Sequence, residues 1–181
     1  MKKLKDTLTG LLIALVYMLI GTMLTNSAQA QDGRLSKEHM NKLSHWVGSW
    51  KGEGWQMTES RERIEFTVEE TVESKIDGMA LMVEGVGLGK NGKEGHHAIG
   101  MIYYNLDNER YEFHSIIKEG MTTLATAKID DTGNFVWGFE VPGGQIQYTI
   151  TIDGDIWIEK GAFSMDGKQW WPIMEMTLNR Q

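Results

Sequence analysis

From Gln145 to Ile152 the side chains alternate: Ile146, Tyr148, Ile150 and Ile152 fall on one face, and Gln147, Thr149 and Thr151 on the other. Successive side chains of an extended strand point to opposite faces, so this pattern specifies a strand with one buried and one wet face. Ile64, Phe66, Val68 and Val72 alternate with Glu65, Thr67, Glu69 and Thr71 in the same way. The rule repeats at Tyr111, Phe113, Ser115 and Ile117, and at Phe135, Trp137, Phe139 and Val141. Turn pairs separate the runs: Asp77-Gly78, Asn91-Gly92, Asp107-Asn108, Glu119-Gly120, Thr132-Gly133, Gly143-Gly144, Asp153-Gly154 and Asp166-Gly167. Their spacing predicts an all-β chain of about ten antiparallel strands. An open meander of that size exposes two edges, and closing it removes them. A closed up-and-down barrel is therefore expected, with a two-sheet sandwich as the alternative.

One short helix is expected ahead of the strands, over Ser36 to His45, after a flexible lead over residues 31–35. Ser36 is placed to cap it, Glu38 lies in its first turn, and Leu35 and Met40 are spaced as a staple around the cap. Met40, Leu43 and Val47 give it one apolar stripe. Pro172 falls inside the last strand and marks a bulge or an edge.

Residues 1–30 have a different character. Lys2, Lys3 and Lys5 precede an uninterrupted apolar run from Leu11 to Ile20, and small and polar residues then lead to Ala28-Gln29-Ala30. That order is the one a signal peptidase reads, and the run is short for a bilayer span, which takes about 20 apolar residues. The expectation is a signal peptide over 1–30, a single domain over 31–181, and a periplasmic or secreted location. No Cys follows the apolar run, which excludes a lipid-anchored lipoprotein. The whole chain carries 25 acidic and 18 basic residues; without residues 1–30 the counts are 24 and 15, a net charge of −9. Such a surface argues against nucleic acid, whose phosphates need a basic patch. The absence of Cys also rules out disulfides, thiolate metal sites and Cys nucleophiles.

The most distinctive stretch is Leu43-Ser44-His45-Trp46-Val47-Gly48-Ser49-Trp50, continued by Lys51-Gly52-Glu53-Gly54. It resembles the opening of the first strand in the calycin group: lipocalins, fatty-acid-binding proteins and nitrobindins. The resemblance implies that Gly48 and Trp50 open strand one and that a basic residue of the last strand, here Arg180, packs across the indole. It extends to nitrobindin-type barrels through Leu43-Ser44 and Val47 to Trp50. It also extends to a family of secreted bacterial calycin-like domains through Gly48 to Gly54 and Glu175 to Leu178. Nitrobindins hold haem by a His on the last strand, where this chain has Ile173-Met174-Glu175-Met176. Their His-x-Glu-x-Gly strand is matched by His96-x-Ala98-x-Gly100, without the Glu. No cofactor is therefore expected.

Seven Trp, with Tyr103, Tyr104, Tyr111 and Tyr148, predict an aromatic interior. Most of these rings will be packed core, yet an eight-stranded barrel can already hold one small ligand, and about ten strands make a wider one. Glu70 lies on the apolar parity between Val68 and Val72. Pointing inward, it needs a partner or a ligand; at a strand end or bulge it would turn outward. His96 and His97 point to opposite faces and cannot easily grip one ion, so no metal site is expected. Two readings follow. In the first, the barrel binds a small, mostly apolar molecule lined by Phe66, Tyr111, Trp137 and Tyr148, with Glu70 or His97 as polar anchors. In the second, it is an enzyme using Glu70 with His97 or Tyr103 for acid–base work. A filled barrel that binds a partner on its outer face is a third. No nucleophile stands in a recognisable catalytic setting, so catalytic residues stay unassigned. N-terminal sequencing of the exported protein should begin at Gln31; a mature chain that retains Leu11 to Ile20 would refute cleavage.

Overall fold

The computed structural model describes residues 33–58 and 60–181, so the expected signal peptide lies outside the described residues. The ten strands are β1 (Gly48–Met57), β2 (Arg63–Lys75), β3 (Ala80–Gly89), β4 (Glu94–Asn105), β5 (Arg110–Ile117), β6 (Thr122–Ile129), β7 (Phe135–Val141), β8 (Gly144–Asp153), β9 (Ile156–Ser164) and β10 (Trp171–Arg180). Each pairs antiparallel with the next, and β10 returns to β1, giving a closed up-and-down barrel. The sandwich alternative is excluded. The tight turns fall where the sequence places them. At the β8–β9 hairpin, Gly154 takes φ 57°, and the ladder resumes at once with Asp153 opposite Ile156. The register slips between Pro172 and Met174, which makes Pro172 the site of a bulge.

The helix differs from expectation at both ends. Residues 33–41 are helical (α1), so residues 33–35 are not a loose lead. Ser36 is inside the helix rather than at its cap, and its hydroxyl lies 3.5 Å from the Tyr104 carbonyl. A 3₁₀ turn follows at Ser44–Trp46, and Val47, beyond it, is exposed rather than part of the apolar stripe. Met40, Leu43 and Trp46 are buried and plug one end of the barrel. His39 stacks on Tyr104 with ring centres 3.6 Å apart, and the Tyr111 hydroxyl donates to the His39 carbonyl at 2.8 Å. Trp46 meets Phe135 and Trp157, each at 5.1 Å between ring centres.

Above this plug the barrel is locked shut. Arg180 lies opposite Trp50 in the β1–β10 ladder, with its guanidinium carbon 4.0 Å from the indole centre. The same group donates to the carbonyls of Val47 (2.8 Å) and His45 (2.6 Å), and pairs with Asp155 at 3.0 Å. Trp50 in turn donates from its indole nitrogen to the Trp46 carbonyl at 2.8 Å. The chain reaches this site along β1 with Gly48 at φ 142°, and a side chain there would collide with the guanidinium. Gly48, Trp50 and Arg180 thus stand together where the first and last strands meet. One seam is short by comparison: β6 and β7 pair only over Thr126–Ile129 and Phe135–Gly138.

Replacing Arg180 with Ala removes the cation–π contact and two charge-assisted bonds to backbone carbonyls, and should lower unfolding stability by about 1–3 kcal/mol. Arg180→Lys should recover only part of that loss, because an ammonium lacks the planar fork that reaches both carbonyls. Urea unfolding followed by Trp fluorescence measures both.

Candidate functional site

Strand parity decides which side chains enter the lumen. Phe66, Val68, Glu70 and Val72 of β2 face in, and their partners on β3 and β4 carry the inward face to Gly85, Gly87, His96 and Ala98. On β7 to β9, Trp137, Tyr148, Glu159 and Gly161 face in, as do Met174 and Met176 of β10. The lower lumen is filled by Trp50, Leu178, Ile102, Phe135 and Trp157, all nearly inaccessible. Higher up, Phe66, Phe113, Trp137 and Met174 are only partly buried against that core, so the end away from α1 is open.

Several lumen glycines act as seats for rings. A side chain at Gly100 would strike the Phe113 ring, at Gly161 the Tyr148 ring, and at Gly54 the Phe66 ring. The rings therefore lie along the wall instead of projecting across the lumen. Gly85 serves Glu70 in the same way, with the carboxyl lying where a β-carbon would be.

Trp137 is the hub of the aromatic wall. It stacks on Tyr148 at 4.3 Å and receives the edge of Phe113 at 4.6 Å. Beneath it sits Glu159, 6% exposed. The Trp137 and Trp157 indoles approach this carboxyl closely enough to favour its charged form, yet neither indole nitrogen has a partner with hydrogen-bond geometry among the described residues. Burial outweighs them and pushes Glu159 up to about 7. Burial, reinforced by the charge on Glu159, pushes Glu70 up to about 8. Burial and the same Glu159 charge push the Tyr148 hydroxyl up to about 12. No cation contributes to the environment of either carboxyl.

Of the residues expected to line a site, Phe66, Glu70, Trp137 and Tyr148 face the lumen. Tyr111 also faces in, but it is 4% exposed and belongs to the plugged floor. Two expectations are corrected. His97 points outward, where its Nε2 meets Glu84 at 2.8 Å, and His96 takes the inward position. Tyr103 also points outward and hydrogen-bonds Glu112, close to His114 at 3.2 Å. The pairing of Glu70 with His97 or Tyr103 for acid–base work is thereby lost, because the barrel wall separates them. Glu159 was missed: in Ile156-Trp157-Ile158-Glu159-Lys160-Gly161 both faces carry apolar residues, so parity alone is ambiguous. The signal lay in the Asp153-Gly154 turn, which pairs Glu159 with the inward Ile150.

A groove of about 990 Å³ opens where β6 and β7 part. Its lining mixes lumen-facing Trp137, Phe139 and Ile146 with outward Leu124, Thr126 and Lys128, so it reaches the aromatic wall from the side. Among the described residues no helix is long and apolar enough to cross a membrane, and no group of three potential metal ligands occurs.

Solved structures share this architecture. The crystal structure of Rv2717c from M. tuberculosis superposes with a TM-score of 0.64 at 18% identity, over 78% of this chain and 96% of that one. The S-type phycobiliprotein lyase CPES from Guillardia theta gives a TM-score of 0.52 at 13% identity, over 84% and 96%. The fold is a calycin-like barrel. No family model and no curated protein matches the sequence. Haem held as in nitrobindins does not fit these residues, since the inward positions of β10 supply Met174 and Met176, which are weak donors alone.

The two carboxyls make stability pH-dependent. Each has a folded pKa above its ordinary value, so the folded state keeps protons that the unfolded chain gives up. Their contribution is complete below the ordinary carboxylate pKa of 4.5 and is lost as pH rises through about 7 and about 8. The melting temperature should therefore fall between about pH 5 and about pH 8. Glu159→Gln and Glu70→Gln should each flatten that slope, as thermal unfolding across the range will measure.

Proposed function

We propose that the protein is an exported binding barrel that holds a small, mostly apolar molecule in the upper lumen. The observation that carries this reading is the combination at Glu159: an aromatic wall that stays partly open to solvent, above buried polar groups with no protein partner. A barrel built only for stability would fill that space or pair those groups, since an unpaired buried polar group costs about 1–3 kcal/mol. An apolar pocket with a few convergent polar groups is the usual form of a small-molecule site. Phe66, Trp137 and Tyr148 would supply contact area, and Glu70 and Glu159 the polar anchors. The use of a similar barrel by a protein titled a phycobiliprotein lyase is in keeping with small-molecule handling. Export rests on Lys2 to Ala30, and with it membership of the secreted bacterial calycin-like group.

The second reading, an enzyme, now rests on Glu70 and Glu159 alone, as two lumen carboxyls that can exchange protons near neutral pH. Native mass spectrometry of the protein from its own source separates the readings. A small molecule retained at unit stoichiometry, and lost in Trp137→Ala, supports binding. A purified protein that carries nothing, and whose Trp fluorescence responds to no apolar probe, would remove the binding reading.

A further inference from the structure

The chemistry at the floor of the open lumen narrows the class of ligand. Glu159 is 6% exposed and Trp157 is 2% exposed, so both are more than nine-tenths buried. The Trp157 indole nitrogen has no hydrogen-bond partner among the described residues. Glu70 faces the same lumen from β2, separated from β9 by β1 and β10, and is seated over Gly85. No Lys, Arg or His acts on the charge of either carboxyl, although His96 shares the inward face beyond Gly87. Among the described residues Lys51 pairs with Glu69, Lys90 with Glu65 and Lys160 with Glu175, all away from the lumen.

Three ligand chemistries can be weighed against this arrangement. An anionic ligand, such as a fatty acid, would bring a third acidic group to two that already disfavour each other's charge. A neutral ligand would leave the carboxyls unpaired. A cation satisfies both the carboxyls and the rings, since the faces of Trp and Tyr attract positive charge. No described side chain hydrogen-bonds Glu159, so its oxygens are left for an N–H donor from the ligand.

Building on the binding reading, we propose that the lumen selects a small organic cation: an apolar body carrying one amine, with the ammonium between Glu159 and Glu70 and the hydrocarbon against Trp137, Tyr148 and Phe66.

The test uses probes that share a tail and differ in charge: n-octylammonium, 1-octanol and octanoate, titrated near neutral pH and read by Trp fluorescence and calorimetry. Octylammonium should bind at least about tenfold tighter than octanol, a difference of about 1.4 kcal/mol, and octanoate should bind weakest. Glu159→Gln should abolish the preference, so that octylammonium binds no tighter than octanol. Glu70→Gln provides a second variant with the same expected direction, and circular dichroism confirms that both fold. Equal binding of octanol and octylammonium in the native protein, or preference for octanoate, would overturn the cation and leave the binding barrel standing. Failure of all three probes, extended to shorter and longer tails, would overturn both.

Discussion

The contact between Arg180 and Trp50 is the one on which the remaining geometry depends. A sheet of ten strands becomes a barrel only if its first and last strands meet, and these residues sit opposite each other at that meeting. The guanidinium also reaches the carbonyls of His45 and Val47, which fixes how the segment after α1 enters β1. That entry puts Trp46 against Phe135 and Trp157, and Trp157 is one of the two indoles beside Glu159. Closure, plug and lumen floor are therefore one connected assembly. A bidentate planar cation suits it because several acceptors must be met from a single direction.

Above that assembly the barrel is organised by what its glycines omit. Phe113, Tyr148 and Phe66 can lie against the wall because Gly100, Gly161 and Gly54 present no side chain beneath them. The usual result of placing many rings inside a barrel is a filled core. Here the rings supply apolar surface without crossing the lumen, and the carboxyl of Glu70 is accommodated by Gly85 in the same manner.

Much of the fold was legible because period-two alternation and Gly-containing turns act locally and reinforce each other. The ten strands and the Pro172 bulge follow from residues near the feature they specify, whereas the Trp50–Arg180 pairing was expected only from the resemblance at Gly48 to Trp50. The site was legible only where parity was unambiguous. Phe66, Glu70, Trp137 and Tyr148 lie in runs with one clearly apolar face. His96-His97 and Tyr103-Tyr104 are pairs of like residues, and either member could face in. Their orientation is settled by pairing with β3 and β5, a non-local property. Glu159 was hidden because Ile156 and Ile158 make the outer face of β9 look like an inner one. The start of α1 was misjudged because Ser36 has the chemistry of a cap, yet its hydroxyl is used against Tyr104 instead.

The short β6–β7 ladder gives this closed ring a preferred place to part. Every other neighbouring pair of strands is joined over a longer register, so local fluctuations concentrate where four paired positions hold two walls together. Opening from its upper end would separate Thr126 from Gly138 and Ala127 from Trp137 while the β1–β10 seam at Arg180 stays paired. For a lumen guest, such a seam would be a side entrance, separate from the end of the barrel.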